Sequence, residues 1–139
     1  MIKLVFDGEF PSFNGMVAKT KIHWGAYSSS KRNLTNRVAK QARKYLPELF
    51  KIGGTIAYEV GFIFEWYVKN KRKDQDNICF AKKYILDGLQ EADIIASDGW
   101  KVVNAGFYET FKIDKDRPRV EVTIITKQQF IERFKNNKE

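Results

Sequence analysis

The chain has 139 residues, 43% hydrophobic and 14% aromatic, enough for one folded domain with its own core, so general disorder is excluded. One cysteine, Cys79, and one histidine, His23, exclude a disulfide framework, a cysteine-rich zinc site and a multi-histidine metal centre. With 25 Lys and Arg against 17 Asp and Glu, the formal net charge is +8, a bias towards polyanionic partners.

Ile2–Phe6 predicts a short strand ended by Asp7-Gly8, and Phe10–Gly15 predicts a loop. No signal peptide is expected, because the first residues lack its long apolar run and small-residue cleavage site. Met16–Tyr27 also reads as loop. From about Ser29 to Leu46, Leu34, Val38, Ala42, Tyr45 and Leu46 recur at helical spacing, with Ser28, Ser29 or Ser30 as N-cap and Pro47 marking the end. The rest of this helix carries Lys31, Arg32, Arg37, Lys40, Arg43 and Lys44 and no acid. A solvated face normally mixes signs, so this one reads as a phosphate-facing surface.

Gly53-Gly54 opens a long strand. Ile56, Tyr58, Val60, Phe62, Phe64, Trp66 and Val68 occupy every second position, with Glu59, Glu65 and Tyr67 on the other face. Such a strand belongs at the centre of a sheet packed on helices, and its two acids argue against a membrane span. Lys69–Lys73 follows, with four cations in five residues. Asp74-Gln75-Asp76-Asn77 then leads into a helix to about Gln90, whose buried stripe is Phe80, Ala81, Tyr84, Ile85 and Leu89. Ala92–Asp98 forms a connection. Two strands, Lys101–Ile113 and Arg119–Thr126, and a terminal helix, Lys127–Lys135, complete the chain. The expected fold is mixed α/β: about four strands, two main helices and a short C-terminal helix, in one domain spanning 1–139. A soluble, cytoplasmic protein is the expectation.

Candidate chemistry lies between Lys73 and Asp98. Two acids two residues apart at a strand end point the same way if the chain is extended. An Asp at a helix start also caps backbone N–H groups, which accounts for one acid but not for a second. Lys83 lies seven residues after Asp76, about 700° of helical rotation, so Asp76, Lys83 and Asp87 form one polar stripe, and Lys82 should point elsewhere. Lys83 and Asp87 also fit a plain i,i+4 ion pair. Asp98 either folds back onto the acid pair or forms a turn before Gly99. Carboxylates converging without histidine or cysteine suit Mg²⁺, with Mn²⁺ as substitute. Such an ion polarises a phosphoryl oxygen and generates hydroxide, while a lysine stabilises the growing charge. Acids inside a basic surround give two readings: a metal-dependent nuclease, or a non-catalytic nucleic-acid-binding module.

The block Asp74-Gln75-Asp76-Asn77, Lys83, Ile85-Leu86-Asp87-Gly88-Leu89 and Ser97-Asp98 resembles the RusA family of Holliday-junction resolvases. That family shows D-x-D-N, a lysine on the next helix, an L/F-D-A/G-L segment and a further Asp. Phe10-Pro11-Ser12-Phe13-Asn14 resembles its P-P-S-x-N element. The resemblance implies that Asp74, Asp76 and Asp98 bind Mg²⁺ and that Lys83 is the essential lysine. The interval from Asp76 to Lys83 is seven rather than four, but Lys83 still precedes Asp87 by four. Ser97 stands where many members carry another acid. By the same resemblance, Arg72 and Lys73 lie at the scissile phosphate, and a homodimer nicks a four-way DNA junction symmetrically. Lys69, Lys71, Arg37, Lys40 and Lys44 complete the expected DNA-contacting set. A phage or prophage origin is likewise an expectation. His23 and Cys79 read as structural, while Trp24 and Tyr27 either stack on an unpaired base or pack beneath their loop.

Overall fold

The computed structural model describes residues 1–22 and 24–135. Its sheet has four strands, β1 (Ile2–Asp7), β2 (Val60–Val68), β3 (Val103–Ile113) and β4 (Arg119–Thr126), in the order β1-β4-β2-β3. β4 runs antiparallel to both β1 and β2, whereas β2 and β3 are parallel. A parallel pair needs a crossover, supplied here by the segment holding α4 (Gln75–Ile78) and α5 (Lys82–Glu91). The turn after β3 passes the end of β2, where the Asp114 N–H donates to the Val68 carbonyl at 2.8 Å. β2 is interior, as its alternation predicts, but it begins at Val60. Ile56 forms only an isolated bridge with Ile95.

The segment between β1 and β2 is more helical than its sequence suggests. α1 (Phe13–Ile22) and α2 (Trp24–Ala42) replace the loops expected over Phe10–Gly15 and Met16–Tyr27. Ser12 explains the first: its Oγ accepts the Gly15 N–H at 3.2 Å and its carbonyl the Met16 N–H at 3.1 Å, so apparent turn residues start a helix. Ser28, Ser29 and Ser30 lie inside α2 rather than capping it. A 3₁₀ turn (Arg43–Tyr45) leads to α3 (Leu46–Lys51), with Pro47 in its first turn. Proline is tolerated there because the first helical N–H has no partner to lose, so Pro47 begins a helix instead of ending one. His23 lies outside the described residues, as do the side chains of Trp24 and Tyr27.

The main core joins Leu4, Phe6, Phe62, Phe64, Val122 and Ile124 of the sheet to Val38 of α2 and Ile85 of α5. α2 and α5 approach closely at Gly88, where a Cβ would stand 2.4 Å from Val38 Cγ1. The other sheet face is divided. One part is a small apolar cluster of Ile63, Ala105 and Ile125 under Phe130 of α6 (Lys127–Phe130). The other part is ionic: Lys3 lies 2.7 Å from Glu121 and 3.4 Å from Glu65, and Arg119 lies 2.7 Å from Glu121. No described helix is long and apolar enough to cross a membrane.

Candidate active site

The chain leaves β2 at Val68 and reaches Asp74 in extended conformation (φ −69°, ψ 154°), immediately before α4. The Asp74 carbonyl accepts the N–H groups of Asn77 and Ile78, each at 3.1 Å. Its side chain makes no capping bond, so helix capping does not consume this carboxylate. Asp76 lies in the first helical turn, not on a strand. The two acids are therefore set by a helix start rather than by the extended geometry their spacing suggests. Both are exposed.

α4 lasts a single turn and passes into a 3₁₀ turn, Cys79–Ala81, before α5. Three residues at about 120° instead of about 100° add roughly 60° between Asp76 and α5. The continuous-helix arithmetic thus fails for Lys82. Lys82 and Lys83 both line one cavity of about 400 Å³, together with Cys79, Asp87 and Asp98. They differ in freedom. The Lys83 ammonium is 4.0 Å from Asp87 and its side chain is 64% exposed, whereas the Lys82 side chain is 23% exposed. Lys82 donates to Glu109 Oε2 at 2.6 Å and lies 4.4 Å above the Phe107 ring. The other Glu109 oxygen accepts the Trp66 indole N–H at 2.9 Å. Glu109 is not legible as a site residue from sequence; its only signal is an acid amid the aromatic run Phe107-Tyr108-Glu109-Thr110-Phe111. Burial and the nearby Glu109 carboxylate push the Cys79 thiol up, against the pull of Lys82.

Asp98 follows α5 in an exposed loop. Its N–H donates to Gln90 Oε1 at 3.1 Å, and Ser97 Oγ accepts the Gly99 N–H at 2.9 Å, so two side chains fix this loop. Asp98 and Asp87 line the same cavity. Burial raises the Asp87 carboxyl above its ordinary range, Asp98 raises it further, and Lys83 opposes both. Asp87 is legible as the Lys83 partner but not as the neighbour of Asp98. Among the described residues, no three of His, Cys, Asp and Glu gather closely enough to hold an ion between them. Asp87 and Asp98 share one cavity, and Asp74 and Asp76 lie on the exposed turn just before it. An all-oxygen pair still suits Mg²⁺, which is commonly held by one or two carboxylates plus waters and substrate phosphate.

The expected DNA-contacting cations divide into three groups. Lys69, Arg72 and Lys73 line a second cavity, beside α4, and Lys71 is exposed on the same turn. Lys40 and Lys44 are exposed on α2 and the 3₁₀ turn after it. Arg37 instead donates to the carbonyls of Asp7 (2.9 Å) and Glu9 (3.1 Å) and covers the Phe10 ring at 4.3 Å, tying α2 to the loop after β1.

A search of curated proteins gave no match. The sequence profile of the family described as Endodeoxyribonuclease RusA matches residues 10–125, from the loop after β1 to the penultimate residue of β4. That span contains the acids and lysines of the carboxylate–lysine cavity and nearly all of the second one. The chain belongs to the RusA endodeoxyribonuclease family.

Proposed function

We propose that this protein is a Mg²⁺-dependent nuclease that resolves four-way DNA junctions, with two copies of one site nicking opposed strands from a homodimer. The observation that carries this reading is the cavity shared by Asp87, Asp98, Lys82 and Lys83, one helical turn beyond the Asp74–Asp76 pair and bordered by cations. Asp98 and Asp87, which line the cavity together, would hold the ion, and Asp74 and Asp76, on the exposed turn next to it, would close on it when the ion and the DNA bind. Bound Mg²⁺ would polarise the scissile phosphoryl group and lower the pKa of the attacking water. The Lys83 ammonium, on an exposed side chain, reaches the phosphate as charge develops on it. Lys82, committed to Glu109, shapes the cavity wall. Lys69, Lys71, Arg72 and Lys73 hold the strand approaching that wall, while Lys40 and Lys44 contact backbone further away. Two-fold symmetry matches two opposed phosphodiesters with two identical sites.

Asp76→Asn is expected to abolish Mg²⁺-dependent cleavage of a synthetic four-way junction while junction binding stays equal or tightens. Wild-type protein that binds the junction but never cuts it with Mg²⁺ or Mn²⁺ would overturn the enzyme reading. The second reading, a non-catalytic binding module of the same fold, would then stand; that no three acids stand assembled among the described residues favours it.

A further inference from the structure

The sheet has two edges, and they are finished differently. On β1 the Val5 N–H donates to the Tyr45 hydroxyl at 3.0 Å and the Asp7 N–H to Gln41 Oε1 at 3.1 Å, so side chains of α2 and the 3₁₀ turn after it cap that edge. β3 pairs with β2 on one side only. The Asp114 N–H, just beyond β3, donates to Val68 of β2. By strand alternation, Tyr108, Thr110 and Lys112 therefore aim their backbone at β2, while Phe107, Glu109, Phe111 and Ile113 aim theirs outwards. The Ala105 carbonyl belongs to the outward set and accepts the Lys135 ammonium at 2.8 Å, which closes the edge at that point. Among the described residues nothing bonds the outward groups from Phe107 to Ile113. This stretch contains no proline, and Phe107, Tyr108 and Ile113 are exposed. A bare edge of this kind is a template for another strand.

We propose that this edge is the homodimer surface: Phe107–Ile113 pairs antiparallel with the same stretch of a second copy, about a two-fold axis through Thr110. This rests on the homodimer of the nuclease reading above and adds to it the surface and the register. Outward groups must oppose outward groups in such a ladder, which fixes the axis on a residue rather than between two. An axis at Glu109 sets two carboxylates face to face. One at Tyr108 needs the Ala105 carbonyl that Lys135 already holds. One at Phe111 or beyond leaves Phe107 unpaired, because β3 ends at Ile113. The axis at Thr110 uses all four outward residues. It sets exposed Phe107 against exposed Ile113 on the helix side of the sheet, and Tyr108 against Lys112 on the other. Thr110 Oγ1, buried without a hydrogen-bond partner among the described residues, meets the same hydroxyl of the second copy. An axis of this kind stands perpendicular to the sheet, so both helix layers lie on one side of it. Phe107 also lines the carboxylate–lysine cavity, so Ile113 of the second copy joins that cavity's wall and the two sites open on one face.

The test uses the full-length protein. Opposed residues of a non-hydrogen-bonded antiparallel pair have Cα atoms ~4.5 Å apart, within the span of a disulfide. In a Cys79→Ser background, Thr110→Cys is expected to give a covalent dimer on mild oxidation, and so is Tyr108→Cys combined with Lys112→Cys. Tyr108→Cys alone, about 14 Å from its own copy, should give none. By sedimentation equilibrium, Ile113→Asp should weaken the dimer about tenfold or more, with Ile113→Val close to wild type. If the wild type is a dimer that cuts junctions but neither crosslinking variant forms its bond, the β3 surface is overturned and the nuclease reading survives. A covalent dimer from Tyr108→Cys alone would overturn the register. If the wild type stays monomeric both alone and on a four-way junction, the paired-nicking reading falls and takes this surface with it.

Discussion

Glu109 holds two unlike donors at once, the Trp66 indole on one oxygen and the Lys82 ammonium on the other. Removing either partner leaves a half-buried charged group short of a bond, which costs about 1–3 kcal/mol. The two neighbouring lysines should therefore part company under mutation. Lys83→Ala is expected to lower kcat by about 10²–10³-fold, the scale for losing one charge-stabilising donor, with an unchanged melting temperature. Lys82→Ala should lower the melting temperature by several degrees, with a smaller effect on kcat. Single-turnover cleavage and calorimetry on the same preparations check both. Equal kinetic losses with equal stabilities would reverse the assignment of roles.

At the scale of elements, the ionic half of the sheet makes a testable statement about acid. Glu65 of β2 and Glu121 of β4 face each other in register, a repulsive arrangement that Lys3 of β1 bridges. Burial pushes the Glu121 carboxyl up, but hydrogen bonds from Lys3 and Arg119 outweigh it and hold the group below its ordinary value. A depressed carboxyl stabilises the fold above its unfolded pKa of about 4.3, and the contribution is lost as pH falls through the lowered folded value. Urea midpoints measured from pH 7 towards pH 3 should fall in wild type, and the fall should be shallower in Lys3→Gln, which begins less stable at neutral pH. The legibility of the elements follows the range of the interactions that set them. β4 is readable because Val120, Val122 and Ile124 alternate with Glu121 and Thr123. α1 is hidden because Pro11-Ser12 and Asn14-Gly15 imitate a turn when the Ser12 cap is unseen. The 3₁₀ break at Cys79–Ala81 leaves no local mark, and it decides where Lys82 points.

For the whole molecule, the candidate site is legible as a set of acids and lysines but not as an arrangement. The Lys82–Glu109 bond spans 27 residues and needs the parallel β2–β3 pairing to exist. The charge pattern is legible in sum, but Arg37 shows its limit, since a basic helix face also contains residues that bind their own backbone. Junction affinity should fall steeply with salt, and Lys71→Ala with Lys73→Ala should flatten the log–log slope by about 0.9 for each phosphate no longer neutralised. Arg37→Ala should instead lower thermal stability. Equilibrium binding at several salt concentrations, paired with melting curves, separates the two effects.

Trp66 lies at the edge of the second cavity, and through its indole N–H it reaches Glu109 and so the lysine of the other cavity. It is 3% exposed, whereas Trp100 is 83% exposed. The indole is thus an optical gauge built into the wall, with the blue emission of a sheltered ring set against the red emission of a wetted one. With Trp24→Phe and Trp100→Phe combined, Trp66 emits alone, and its band should be blue. Glu109→Gln should shift that band before any nucleic acid is added.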